Sequence, residues 1–145
     1  MPGSYARLSR RWQPGDRVEL DLPMEPIAYE AHPLVEETRN HVAMMRGPLV
    51  YCLESVDLPK RVSIDDVRLP RDARWKVRHD RDLLGGVTVL ETEGVGVMER
   101  TVYPAQALYR PASGGPTRLV ALRLIPYYAW CNRGPSQMTV WIPLY

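Results

Sequence analysis

Phenylalanine is absent from this 145-residue chain, and Lys60 and Lys76 are its only lysines among 19 basic residues. Cysteine occurs twice, as Cys52 and Cys131, which is too few for a disulfide framework. Both lie among apolar neighbours, so we expect buried free thiols, although the sequence also allows one disulfide between them. No apolar run is long enough to span a membrane, and no signal peptide is recognisable, which predicts a cytoplasmic protein without a membrane partner.

The chain also lacks a large excess of positive or negative charge. The formal net charge is +2, from 19 basic and 17 acidic residues spread along the chain, which argues against a nucleic-acid partner. A hydrophobic content of 45% is ordinary for a folded domain. Fourteen prolines and ten glycines leave little room for helices of normal length. The composition therefore favours a globular protein built from short strands and turns.

The clearest strand pattern lies at residues 17–22, where charged and apolar side chains alternate strictly. The pattern is typical of a half-buried antiparallel strand. A turn signal at Pro14-Gly15 separates it from residues 4–12, so the sequence predicts a β-hairpin over residues 4–22. The apolar side chains of its second strand are Val18, Leu20 and Leu22.

The longest apolar stretch, residues 42–54, predicts one long central strand buried on both faces. Gly47-Pro48 interrupts it, which we interpret as a bulge or bend. A second strand, residues 119–125, is apolar on both faces and is expected near the middle of a sheet. Further strands are predicted at 27–31, 67–69, 75–77, 87–91, 98–110 and 138–142. The predicted fold is all-β and antiparallel, sandwich-like, with about ten short strands and little or no helix.

The sequence offers no convincing catalytic residues and no metal site. Glu91 and Glu93 would share one strand face with Cα atoms roughly 6–7 Å apart, but nothing nearby would raise the pKa of either carboxyl, as a glycosidase acid requires. Asp65 with Asp66 and Glu36 with Glu37 have the same weakness. The spacing of the three histidines and two cysteines does not match a zinc site.

One segment, residues 125–135, combines aromatic, amide and guanidinium side chains at the end of a predicted strand. Such a group suits a corner of the core, a protein–protein contact or the face of a sugar, and the sequence leaves all three open. The candidate contact residues are Tyr127, Tyr128, Trp130, Asn132 and Arg133.

Residues 42–54 read VAMMRGPLVYCLE and resemble the RGPLVYCLE signature of glycoside hydrolase family 127, a group of large bacterial β-L-arabinofuranosidase-like proteins. Five further segments are similar to that family in the same order along the chain. They lie at 4–8, 11–16 with 18–24, 83–90, 125–134 and 138–143. These segments belong to the C-terminal third of the family's proteins, where β-modules follow a catalytic (α/α)6 barrel.

The resemblance implies a catalytic glutamate and a zinc-held cysteine nucleophile inside that barrel. This sequence has no Glu-x-Cys step and no adjacent cysteines, so no catalytic residue, no metal ligand and no cofactor is expected here, and zinc would belong to the absent barrel. Residues 1–55 are expected to be the remnant of a middle β-sandwich module, lacking strands that precede it in the family. Residues 56–145 would form the C-terminal β-module.

The expected function is that of a non-catalytic region that supports a catalytic barrel domain and subunit assembly, and is not an enzyme on its own. The alternative is a free-standing carbohydrate-binding module that uses the aromatic segment at 127–133. Because the predicted hairpin at 4–22 would have an unpaired edge and an uncovered apolar face, a homo-oligomer is also expected.

Overall fold

The computed structural model describes residues 3–97, 108–109 and 116–145. Within these ranges the chain forms strands joined by turns and short 3-10 segments, with no α-helix. None of the described residues belongs to a helix that could cross a membrane. The strands are β1 (Pro26–Tyr29), β2 (His41–Arg46), β3 (Leu49–Glu54), β4 (Val67–Arg68), β5 (Lys76–Asp80), β6 (Val87–Val97), β7 (Thr117–Pro126), β8 (Met138–Thr139) and β9 (Trp141–Pro143).

All nine strands belong to one curled antiparallel sheet, which confirms the predicted fold class. Its main order is β1-β2-β3-β7-β6-β4, while β5 pairs with β6, β8 with β3 and β9 with β2. A bridge between Leu69 and Leu144 joins the residue after β4 to the residue after β9. Among the described residues, the sheet buries a larger apolar cluster that includes Tyr51 and a smaller one that includes Cys52 and Ile125.

The centre of the fold differs from the predicted single long strand. Residues 42–54 reverse direction at Gly47-Pro48, so that β2 and β3 form a tight hairpin in which Met45 lies opposite Val50. Gly47 has φ +56°, the positive value that a two-residue hairpin turn requires at its first central position. A Cβ atom there would meet the end of the flexible Met24 side chain, which can move aside, so the positive φ is the reason for glycine at this position. The prediction of a bulge or bend was wrong, because a Gly-Pro pair can also form the two-residue turn of a hairpin, in which the chain reverses direction.

The prediction of burial on both faces is confirmed for β3. Tyr51, Cys52, Leu53 and Glu54 are all inaccessible to solvent. The strand Thr117–Pro126 lies between β3 and β6, as expected for a strand in the middle of a sheet.

Residues 3–25 contain no strand, so the predicted hairpin at 4–22 was wrong. The turn at Pro14-Gly15 does form, since the Asp16 amide donates to the carbonyl of Gln13 over 3.1 Å. The flanking segments do not form a strand ladder with each other, since an isolated two-stranded hairpin is at best marginally stable in water. Val18, Leu20 and Leu22 are 59, 79 and 62% exposed.

Most other predicted strands are confirmed within a few residues. The predicted strand at 98–110 and the loop at 113–116 lie largely outside the described residues. Strands from residues 1–55 pair with strands from 56–145, since β2 pairs with β9 and β3 with β7 and β8. The two predicted modules therefore share one sheet, and their division at residue 55 stays a prediction.

Gly94 in β6 should not tolerate even a methyl group. A Cβ atom there would lie 2.8 Å from the carbonyl oxygen of Arg68 and 2.5 Å from a methyl of Leu122. Because a paired backbone cannot move aside easily, we expect Gly94→Ala to lower the free energy of unfolding by about 1–3 kcal/mol in urea titrations. Glu93→Ala, on the exposed face of the same strand, is the control. Equal stabilities of the two variants would contradict the close approach of β4 and β6.

Candidate functional site

The segment from Tyr127 to Gln137 folds over the end of β3 and holds all five candidate residues. It leaves β7 through a 3-10 turn, Tyr127–Ala129, and reverses at Cys131, which has φ +65°. Two hydrogen bonds attach Gln137, at the far end of the segment, to Ser55. The Ser55 amide donates to the Gln137 carbonyl over 2.9 Å, and the Gln137 amide donates to the Ser55 hydroxyl over 3.0 Å. We call residues 127–137 the corner loop.

Glu54 lies beneath the corner loop and is completely buried. Its carboxylate accepts hydrogen bonds from the guanidinium of Arg133, from the Ser136 hydroxyl at 2.9 Å and from the Cys131 amide at 3.3 Å. Burial alone would raise the pKa of Glu54, but these bonds, led by that of Arg133, hold it below the ordinary value. A buried carboxylate is thus kept charged by the loop that covers it.

Arg133 is shared between two carboxylates. Besides Glu54, it donates to both oxygens of Asp57, over 2.9 and 2.6 Å. Hydrogen bonds to Asp57 outweigh the effect of burial and raise the pKa of the guanidinium. Bidentate contacts of this kind fix the orientation of both groups.

The ion pairs continue across the outer surface of the sheet. Arg123 on β7 lies 3.9 Å from Asp57 and 3.6 Å from Glu91. Glu91 in turn contacts Arg78 on β5 at 2.7 Å. Hydrogen bonding to Arg78, opposed by burial, lowers the pKa of Glu91. That is the opposite of what a general acid needs, and Glu93 beside it is exposed.

The three aromatic candidates, Tyr127, Tyr128 and Trp130, lie beside this buried network. The rings of Tyr127 and Trp130 stack, with centroids 6.0 Å apart and planes at 29°. Tyr127 and Tyr128 are exposed, while the indole nitrogen of Trp130 is buried without a hydrogen-bond partner among the described residues. The amide of Asn132 donates to the carbonyls of Ala129 and Trp130, both at 3.1 Å.

The structure therefore divides the five candidate residues. Asn132 and Arg133 bind groups of their own chain, whereas Tyr127 and Tyr128 present ring surface to solvent. Sequence reasoning missed Glu54, which lies 79 residues before Arg133. The one local signal was an acidic residue directly after an apolar stretch predicted to be buried, because a buried carboxylate needs a cationic partner.

Neither cysteine shows the features of a nucleophile or a metal ligand. Burial, followed by the nearby charge of Glu54, raises the pKa of the Cys52 thiol to about 12. Both thiols are free, but Cys131 is exposed, so the prediction of burial is confirmed for Cys52 and was wrong for Cys131. Across the described ranges, no three side chains of His, Cys, Asp or Glu come together where they could hold a metal. The zinc-held cysteine implied for the family's barrel does not fit the described residues.

Comparisons with known proteins agree on one relationship. A family model described as the glycoside hydrolase family 127 C-terminal domain matches residues 26–143. A non-reducing end β-L-arabinofuranosidase of Bifidobacterium longum subsp. longum is 37% identical over 135 residues, which cover 87% of this chain and 20% of that protein.

Solved structures show the same relationship. The crystal structure of a GH127 β-L-arabinofuranosidase from Geobacillus stearothermophilus T6 superposes with a TM-score of 0.72 at 41% identity, over 85% of this chain and 19% of that one. A structure of a GH127 β-arabinofuranosidase gives a TM-score of 0.69 at 34% identity, over 84% of this chain and 17% of that one. The chain spans about a fifth of the length of these relatives.

Proposed function

Since the chain belongs to the C-terminal domain family of glycoside hydrolase family 127, we propose that it is a non-catalytic accessory β-domain that supports a catalytic domain and subunit assembly. The observation that carries this proposal is the extent of the match. The chain corresponds to a C-terminal domain and to a fifth of a β-L-arabinofuranosidase.

The charges of the described residues support a structural role. Hydrolysis of a glycoside needs one carboxyl group that is protonated near neutral pH and a second that is ionised. Glu54 and Glu91 both have lowered pKa values, because arginine side chains bind their carboxylates. Arginine-bound carboxylates of this kind hold loops and strands together, and they are poor proton donors.

The purified chain should release no nitrophenol from an aryl β-L-arabinofuranoside. We expect the same result with added zinc and a thiol reductant, because neither would create an acid of raised pKa among the described carboxylates. A full-length family 127 arabinofuranosidase is the positive control. Turnover that follows the 16.6 kDa chain through successive purification steps would refute the non-catalytic role.

The assembly part of the proposal concerns residues 3–25, which we call the N-terminal segment. Apolar side chains remain exposed along it, and leaving a large one in water forgoes roughly 1.5–3 kcal/mol. They include Tyr5, Leu8, Val18, Leu20 and Leu22. We propose that a second copy of the chain covers them in a two-fold dimer.

The charges of the N-terminal segment favour this arrangement. Its first half carries Arg7, Arg10 and Arg11. Its second half is acidic on balance, with Asp16, Glu19, Asp21 and Glu25 against Arg17. In an antiparallel contact about a two-fold axis, the basic half of each copy faces the acidic half of the other. Such complementarity selects the orientation of the two copies and suppresses a parallel contact.

Light scattering should therefore give about twice the 16.6 kDa mass of the chain at micromolar concentrations. Leu20→Glu should shift the protein to monomer, because it places a charge in the apolar contact. Leu119→Glu, an equally exposed position on β7, should leave the mass unchanged. A mass of 16.6 kDa across a hundredfold dilution of the unmodified chain would overturn the dimer.

A further inference from the structure

Several groups hold the corner loop to the sheet. Arg133, Ser136 and the Cys131 amide all donate to Glu54, and two hydrogen bonds join Gln137 to Ser55. Arg133 also binds both oxygens of Asp57, and Ala129 at the start of the loop is buried. We propose that the contact with Glu54 is an acid-sensitive latch: protonation of Glu54 opens the backbone of residues 131–137, while Arg133 stays paired with Asp57 and the sheet stays folded.

The chemistry of the donors explains why protonation would release the loop. An ionised carboxylate can accept all three donors, whereas a protonated carboxyl has lost its charge and turns one oxygen into a donor. The guanidinium of Arg133 and the amide of Cys131 have no acceptor to offer that proton. Charge-assisted hydrogen bonds are the strong ones, so protonation would remove the charge assistance from the bonds of Arg133 and Cys131 to Glu54. The Ser136 hydroxyl can accept the new proton, so its contact with Glu54 would remain.

Arg133 keeps a counter-charge when Glu54 is protonated. From the 3-10 segment Ser55–Asp57, the carboxylate of Asp57 still neutralises Arg133, and Arg123 on β7 approaches Asp57 from the other side. The neighbouring thiol of Cys52, on β3, stays neutral because burial raises its pKa to about 12. Arg133 would therefore stay tethered to Asp57 beside the sheet while the loop backbone around it opens.

The sign of the pH dependence follows from the lowered pKa of Glu54. The latch is fully present above the ordinary carboxyl pKa of about 4.3, and it is lost as the pH falls through the lower value in the folded chain. The pKa values of Glu91 and Asp80 are also lowered. Acid therefore weakens the β5–β6–β7 region as well, and a test must separate loop opening from unfolding of the sheet.

Amide hydrogen exchange measured by NMR makes that separation. At pH 7, Glu54→Gln should lower the protection of the Cys131 and Gln137 amides by about tenfold to a hundredfold, the loss expected for hydrogen bonds to a charged group. Protection of the β6–β7 ladder should hardly change. Glu93→Gln, the same substitution at an exposed site, should affect neither set of amides.

The unmodified protein gives an independent result if Glu54→Gln fails to fold. As the pH falls from 7 towards 2, with intrinsic exchange rates corrected, the Cys131 and Gln137 amides should lose protection before the β6–β7 ladder does. A parallel loss in loop and ladder would show that acid unfolds the sheet as a whole. Constant protection of the loop would show that Glu54 does not control it. Either outcome overturns the latch and leaves the proposed accessory role untouched.

Discussion

Replacing Leu53 by alanine should lower the free energy of unfolding by about 2–5 kcal/mol, the range for deleting a buried leucine side chain from a close-packed core. Leu53 lies on β3 and is fully buried, opposite Leu124 of β7 and Thr139 of β8. Few neighbours can move into the space it would leave, because strands flank it on both sides. Urea titration followed by circular dichroism measures the effect.

Leu119→Ala is the matched control. It deletes the same atoms from β7, but at a position that is 68% exposed, so its effect should stay within about 0.5 kcal/mol. A loss for Leu53→Ala no larger than that for Leu119→Ala would mean that β3 is not central. Val50, in the same apolar stretch, is only half-buried beside the hairpin turn. We therefore expect Val50→Ala to cost less than Leu53→Ala.

Replacing Arg133 by methionine should cost about 3–5 kcal/mol, the usual penalty for removing one member of a buried ion pair. The reason is the state of Glu54, which would remain completely buried without its cation. Asp57 would lose its closest counter-charge as well. The midpoint of urea unfolding at pH 7 gives the size of the loss.

A double variant separates the energy of the pair from the penalty of breaking it. Glu54→Met combined with Arg133→Met removes both buried charges and should recover most of the stability lost by Arg133→Met alone. If the loss of stability in the double variant equals the sum of the losses in Glu54→Met and Arg133→Met, the two residues do not depend on each other for stability.

Strands could be predicted from the sequence where their own apolar side chains determine that they are buried. The apolar run that became β3 predicted burial on both faces, and the structure confirms it at Tyr51–Glu54. The run that became β7 predicted a strand near the middle of a sheet, where it lies, although Leu119 on its outer face is 68% exposed.

Local patterns failed where the outcome depends on distant parts of the chain. The alternation at residues 17–22 is a strand pattern, but a strand forms only where another strand can pair with it. At Gly47-Pro48, pairing of β2 with β1 and β9 accompanies the reversal. The contact between Glu54 and Arg133 joins residues 79 positions apart, and no spacing rule predicts such a pair.

We propose that this chain packs against protein and neither binds nor cleaves sugar. Isothermal titration of the purified chain with arabinose-containing oligosaccharides tests it most directly. Because Asn132 and Arg133 are occupied within the chain, we expect no saturable heat at millimolar ligand. Saturable binding that is lost in Tyr127→Ala, but kept in the matched control Tyr145→Ala, would contradict the claim and identify a carbohydrate-binding module.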